Sequence, residues 1–412
     1  MPLPGSWNGN GRPSTLYSQL ELTITLPLTL YPLSNSMLLN VFLLLLGTTS
    51  VLGDPGVELN VEVQHKDRGY YENTVRVRSG QSIQKALNKA PYGSRVVVEA
   101  GTYAEQISIQ KDGISLIGKG AILVPPENPV ENPCSGFAGP GTQAGICIAG
   151  KGLKLDEFKA EHRKVISVQK PVRDVTVTGF KVQKFVGFNI LVLGADNAHV
   201  HANELLSDAS VYGFLTAGST NTLVSDNVVA STKTSFIGVC MDNFSRVKVV
   251  GNKIDNFVIG LCIQTNGADI ENNQVSQACY GAFLDPGVKD VKLCRNKFIN
   301  PIPACGPPGA TGILLDGSIN ARVEDNLVKG WKNSAGPASG IAIVDDPCTN
   351  TPPGLSCIYR GNKMAVAKGN VIKGNILKDN ALDTYQETTG KGNVVRRNQC
   401  KTSVPPELCG RH

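Results

Sequence analysis

Four aspartates in the second half of the chain have the type and spacing to do chemistry: Asp242, Asp285, Asp316 and Asp345. The first three stand four residues after Gly238, Gly281 and Gly312, and the fourth stands five after Gly340. Two carboxyls brought about 5 Å apart do not both ionise cheaply, so one keeps its proton or a cation such as Ca2+ sits between them. A protonated and an ionised carboxyl at that separation suit retaining glycoside cleavage, and a wider pair suits inversion. We therefore take Asp285 and Asp316 as the candidate acid/base pair, or as the Ca2+ ligands if a metal is used, with Asp242 and Asp345 assisting. The same residues also read as plain turn formers. Asp285-Pro286 and Asp345-Asp346-Pro347 are sequences in which an aspartate caps its own backbone at a strand end.

Only a repeated element would align these side chains. A motif of apolar-x-x-Asn-x-apolar recurs every 21–30 residues at Asn203, Asn227, Asn252, Asn273, Asn296 and Asn326, and returns at Asn375 and Asn398. Gly187, Gly213, Gly238, Gly260, Gly281, Gly312 and Gly340 run in step and each opens a short apolar strand. A fixed period of this size means stacked supersecondary units. Strand alternation then sorts the residues after each glycine. The first and third, such as Phe188/Ile190 and Ile313/Leu315, must face the core. The second faces out and holds Asn189, Leu215, Cys240, Cys262, Phe283, Leu314 and Ala342. The fourth also faces out and holds Leu191, Ala217, Asp242, Gln264, Asp285, Asp316 and Val344. This predicts an apolar stripe beside a row of carboxylates, with Gln264, Phe283 and Leu314 as substrate-binding residues. A separate outward column carries Lys248, Asp269, Lys292 and Arg322, of which Lys292 and Arg322 are candidates to bind an acidic polymer.

Bulk properties agree with thin coils. The 412 residues include 44 Gly and 6% aromatics, and 41% are hydrophobic. The 11 Cys include close pairs at Cys134/Cys147, Cys348/Cys357 and Cys400/Cys409, which suit disulfides in an oxidising compartment. Cys240, Cys262, Cys279, Cys294 and Cys305 remain, with Cys240 and Cys262 in adjacent coils and at least one thiol free. The apolar run from Met37 and the small residues after it read as a secretory signal over residues 1–53, removed on export. The net charge of +6 comes from scattered basic residues without aromatic interleaving, which excludes nucleic acid and fits an acidic polymer or a solvated surface. Asn243-Phe244-Ser245 is a glycosylation sequon. His199 and His201 share one outward face without a third metal ligand in view. Trp331, in an inserted loop, would stack on a sugar or pack its loop down.

Gln81–Ala90 reads as an amphipathic helix capping the first coil, Val96–Val98 as a buried strand, residues 125–161 as a Pro- and Gly-rich loop, and coils resume at Val165. The segment from Ser82 to Ala90, then Val96-Val97-Val98-Glu99-Ala100-Gly101-Thr102-Tyr103 and Ile109 to Gly118, followed by the Asn-marked coils, resembles the right-handed parallel β-helix proteins of the pectin-lyase-like superfamily over roughly residues 78–400. The resemblance implies an all-β, single-stranded right-handed parallel β-helix with an N-terminal capping helix, in one domain over residues 54–412. It further implies that a Ca2+ held by aspartates, with Lys or Arg as base, would serve β-elimination from a uronate. The superfamily's polygalacturonases carry Gly-His-Gly and Arg-x-Lys segments, and its alginate epimerases an Asp-Pro-His-Asp segment. This chain has neither.

The expectation is a secreted, monomeric carbohydrate-active enzyme, a lyase or hydrolase of an acidic polysaccharide, without stable membrane insertion. Two alternatives stand beside it. A non-catalytic binding or structural protein is suggested by a glycan at Asn243 crowding the groove. An enzyme for a small hydrophobic substrate is suggested by the outward Leu215, Phe283 and Leu314, and would show a loop-covered pocket.

Overall fold

A computed structural model describes residues 73–306 and 309–409. The signal proposed over residues 1–53 lies outside them. The described chain winds into one stack of parallel strands, each coil bonded to the next. The register runs through three walls. One contains His199–His201, Asp269–Glu271, Lys292–Cys294 and Arg322–Glu324. The second contains Glu204–Leu206, Lys297–Ile299 and Leu327–Lys329. The third contains Gly187–Leu193, Tyr212–Ala217, Ala310–Asp316 and Ala338–Val344. Long strands such as Lys253–Ile263 and Gln274–Leu284 turn the corner between the second and third walls. Parallel pairing with right-handed crossover is the arrangement that L-residues favour.

The amide column is continuous. All eight ladder residues predicted from the sequence join: Asn203 bonds Asn227, then Asn252, Asn273, Asn296, Asn326, Asn375 and Asn398, at 2.9–3.1 Å between side chains. Each stands where the chain bends between the first two walls, and the amides satisfy backbone groups that the bend leaves unpaired. Asn252 donates to Val224 O at 3.0 Å, and its Oδ1 accepts from the Asn227 backbone N–H at 3.0 Å. Asn252 is fully buried. Asn252→Ala is expected to lower unfolding free energy by about 3 kcal/mol, read by urea titration, because several buried partners lose their bonds at once.

Glycine marks the opposite corner for a steric reason. A Cβ on Gly260 would stand 2.3 Å from Val275 Cγ1, and one on Gly312 would stand 2.3 Å from Val328 Cγ1. The register corrects the sequence reading in the first coil. Phe188 pairs with Tyr212 and Ile190 with Phe214, so Asn189, not Gly187, lies level with Gly213. Leu191 therefore belongs to the apolar column with Leu215, and Leu193 heads the column that leads to the aspartates.

Two further boundaries differ. Gln143–Ala149, placed inside the loop from the sequence, is a coil strand paired with Ile107–Ile109 and Gly187–Leu193, because Ala144, Ile146 and Ile148 alternate inward. Val165–Lys170 does not resume the coils but pairs antiparallel with Lys151–Leu155 as an outlying hairpin. The capping helix runs Ile83–Lys89. Ser82 caps it and Glu105 accepts from the Ile83 and Gln84 N–H groups, so its free donors are satisfied. Disulfides join Cys134–Cys147, Cys240–Cys262, Cys279–Cys305, Cys348–Cys357 and Cys400–Cys409. Cys294 is free and buried among the described residues. Five bridges fit an oxidising compartment. No helix among the described residues is long and apolar enough to cross a membrane.

Candidate functional site

Asp242, Gln264, Asp285 and Asp316 line up on the outer side of the third wall. Cys240 pairs with Cys262, Cys262 with Phe283, and Phe283 with Leu314, which puts the residues two places on in successive coils. Their inward neighbours confirm the parity: Thr216 bonds the core residue Thr222 across the corner at 3.2 Å. The outer side is nevertheless not open. Asp242, Asp285 and Asp316 are 3%, 2% and 0% exposed, and Leu215, Phe283 and Leu314 are equally sealed. The expected groove is corrected to a covered row.

Two segments make the cover. The first reaches over the wall after the outlying strand Lys151–Leu155. His162 Nε2 lies 3.2 Å from Asp242 Oδ2 and its Nδ1 3.1 Å from Tyr212 Oη, while the ring stacks on Phe137. Lys164 Nζ donates to Asp242 Oδ1. Glu161 accepts from Gln264 Nε2 at 2.9 Å. The second segment is the loop closed by Cys348–Cys357. Its Ser356 hydroxyl donates to Asp285 Oδ2 at 2.7 Å, and its Leu355 N–H donates to Glu161 Oε1 at 2.9 Å. The two segments also hold each other, since Tyr359 donates to Asp156 and Lys159 Nζ sits 5.0 Å from the Tyr359 ring centre.

Electrostatics splits the row. Burial alone would raise Asp242, but Lys164 and His162 outweigh it and hold this carboxyl below its usual range. Burial first and Glu161 second push Asp285 well above the carboxylate range. Burial first, then Asp346, Asp285 and Asp345, push Asp316 well above it too. Burial also raises Glu161. Gln264 Nε2 bridges Glu161 and Asp285, the latter at 3.0 Å, while its Oε1 has no partner among the described residues. Asp316 is the extreme case. Both of its oxygens are buried without a hydrogen-bond partner among the described residues. The arrangement can hold one carboxylate ionised and neighbouring carboxyls protonated, a division that general acid and base work requires.

Several sequence candidates lie elsewhere. Val344 occupies the place level with Asp316, and Asp345 turns away. Its carboxylate accepts from Ala367 N–H, from Thr389 N–H and from the hydroxyls of Thr388 and Thr389, which is a turn role. Lys292 and Arg322 stand on the first wall, paired with Glu271 and Glu324, and do not reach the row. Trp331 is fully buried and packs its loop down. His199 and His201 stack at 4.2 Å without a third ligand, and burial lowers His199 to about 4. Glu161, His162, Lys164, Tyr212, Ser356 and Tyr359 escaped the sequence reading. The dense charge of Asp156–Lys164 within a Pro- and Gly-rich excursion was the signal available for the first three.

The sequon is closed. Asn243 is 7% exposed, donates to Thr222 Oγ1 at 2.9 Å and accepts from Thr216 Oγ1 at 2.7 Å. Peptide mapping of protein from a glycosylating host is expected to find Asn243 unmodified. A glycan there would mean that this corner is open.

A family model described as a right-handed β-helix region matches residues 237–404, and one described as periplasmic copper-binding protein (NosD) matches residues 142–304. No curated protein matches the sequence. Among solved structures, the Dettilon tailspike protein is 14% identical, with 77% of this chain and 62% of that one covered, at a TM-score of 0.46. A periplasmic alginate epimerase is 13% identical, with 80% and 73% covered, at 0.45. The A-module of a mannuronan C-5 epimerase from Azotobacter vinelandii is 11% identical, with 75% and 90% covered, at 0.40. The chain thus spans under two thirds of the tailspike, and none of these likenesses speaks to its chemistry.

Proposed function

We propose that this right-handed parallel β-helix of the pectin-lyase-like superfamily is a secreted glycoside hydrolase of an acidic polysaccharide, with Asp285 and Asp316 as its acid/base pair. One observation carries the reading. Among the described residues Asp316 keeps both carboxyl oxygens unpartnered in a fully buried position, next to Asp285, whose carboxyl burial pushes well above the usual range. A buried polar group without a partner is unfavourable by itself and persists where function requires it. Adjacent coils bring Asp285 and Asp316 to about one strand spacing, roughly 5 Å. At that distance the two carboxyls do not both ionise cheaply. The protonated member would donate to the glycosidic oxygen as the C–O bond breaks. The ionised member would form and then release the bond to the anomeric carbon in the retaining manner, with water supplying the final oxygen.

Other chemistries have less support. Ca2+ takes six to eight oxygens at about 2.4 Å. Among the described residues the group of three candidate ligands that converge is Asp346, Cys348 and Cys357, whose sulfurs are joined to each other. Among the described residues the row brings no three His, Cys, Asp or Glu ligand atoms together, which lends less support to Ca2+ there or to the copper in one matching family's description. Elimination needs a free base, and Lys164 is engaged with Asp242. The net charge of +6 and the position of Lys164 at the rim favour an acidic substrate. A cover of this kind suits a small apolar substrate, but Leu215, Phe283 and Leu314 are buried and offer it no open surface.

The test is a panel of polyuronates and neutral glycans, with and without chelator. New reducing ends without ultraviolet absorbance are expected, unchanged by chelator. Absorbance from unsaturated products would replace hydrolysis by elimination, and no turnover of any glycan would remove the reading.

A further inference from the structure

The cover has a consequence for the form of the substrate. Chain from outside the coils crosses the row at Asp242, Gln264 and Asp285. His162 and Lys164 occupy Asp242, Glu161 occupies Gln264, and Ser356 occupies Asp285. The space left above Asp285 is a pit of about 10 Å³, room for about one water molecule. Lys164, Gln264, Leu355, Ser356 and Tyr359 form its walls. A polymer stretched from Asp242 to Asp316 would run about 15 Å along three coil steps. It would have to lift both segments together, because Glu161–Leu355 and Asp156–Tyr359 tie them and Cys348–Cys357 closes the second. An end group needs only the rim side chains to give way, and Lys164 is already 19% exposed there.

We infer that the protein takes its substrate end-on, so that it acts on the terminal residue of an acidic glycan chain and not within the chain. The inference rests on the hydrolase reading and adds to it the point of attack. Lys164, still bonded to Asp242, is the rim cation that meets the carboxylate of the terminal uronate. The Gln264 amide and the Ser356 hydroxyl hold Asp285 behind it, and Tyr359 limits how much of the next residue follows.

Calorimetric titration of the full chain carrying Asp285→Asn, which stops turnover, tests this with oligogalacturonates and oligomannuronates of one to eight residues. Affinity for the series that binds is expected to be complete by two residues and to change less than threefold up to eight. Chemical blocking of the chain end is expected to weaken binding at least tenfold. An affinity that climbs tenfold or more from two residues to eight overturns end-on entry and leaves the hydrolase reading standing. No binding by any member of either series at millimolar concentration overturns end-on capture of a uronate, and removes the hydrolase reading too if no glycan of the panel is turned over. With unmodified protein, single residues are expected as the first products, and mid-length fragments at early times would overturn the inference by an independent route.

Discussion

Asp316→Asn is expected to abolish turnover and, at pH 8, to make the protein more stable. The two effects have one source. In the folded chain burial comes first, and Asp346, Asp285 and Asp345 add to it, in pushing this carboxyl well above the value it has when unfolded. A group with a raised folded-state pKa lends stability that is complete below its unfolded value, about pH 4, and that is lost as pH rises through the folded value. Near neutral pH the native state therefore carries a buried carboxyl whose oxygens have no hydrogen-bond partner among the described residues. The amide has the same shape and no charge. Each 1 kcal/mol recovered would raise the unfolding midpoint by about 2 °C in a domain of this size. Turnover should fall by about 10²- to 10⁴-fold, the range for loss of a general acid or base. The midpoint of the parent protein should decline from pH 5 to pH 8, and the variant's decline should be shallower. It does not vanish, since Asp285 and Glu161 are raised in the same direction. A purely structural Asp316 would give a variant that is less stable at pH 8 with turnover intact, and that result would sink the assignment.

The fold was largely written in the sequence, because its determinants are local and repeat. Each ladder asparagine announces its own bend, and each marker glycine from Gly213 to Gly312 answers one apolar side chain across the coil, while Gly340 faces Asn380. The slip at Gly187 shows the limit. That glycine is genuine but sits two residues early, and the level place is filled by Asn189, which a glycine pattern does not find. The aspartate row was legible for the same periodic reason. Its environment was not. Whether Asp285 faces water or Ser356 depends on where a loop 71 residues away comes to rest. Nothing periodic encodes the Glu161–Leu355 contact, which spans 194 residues. Asp345 falls outside the row because an aspartate at a strand end looks the same in sequence whether it caps a turn or lines a site.

Lys164→Met is expected to be among the most destabilising single changes in the protein, and Asp242 is the reason. Its carboxylate is 2% exposed and stays ionised because Lys164 and His162 face it. Removing the ammonium leaves a buried charge with one imidazole for a partner. Breaking a buried pair from one side destabilises by about 3–5 kcal/mol, and the 19% exposure of Lys164 puts the expected loss near the lower end, about 3 kcal/mol. Taking away both charges is different, because the desolvation of the carboxylate disappears with its attraction. Lys164→Met combined with Asp242→Leu should therefore recover most of what the single change loses, with a coupling of at least about 1 kcal/mol between the two sites. Thermal and urea unfolding of the four proteins at pH 7 measure it. The activity of the double variant separates the roles of Asp242. A folded, inactive double variant makes the Asp242–Lys164 pair part of the machinery. A folded, active one makes it an anchor for the segment that carries Glu161 and His162. If the double variant is as unstable as the sum of its parts, Asp242 is not the buried anion described, and the division of the row into ionised and protonated members fails with it.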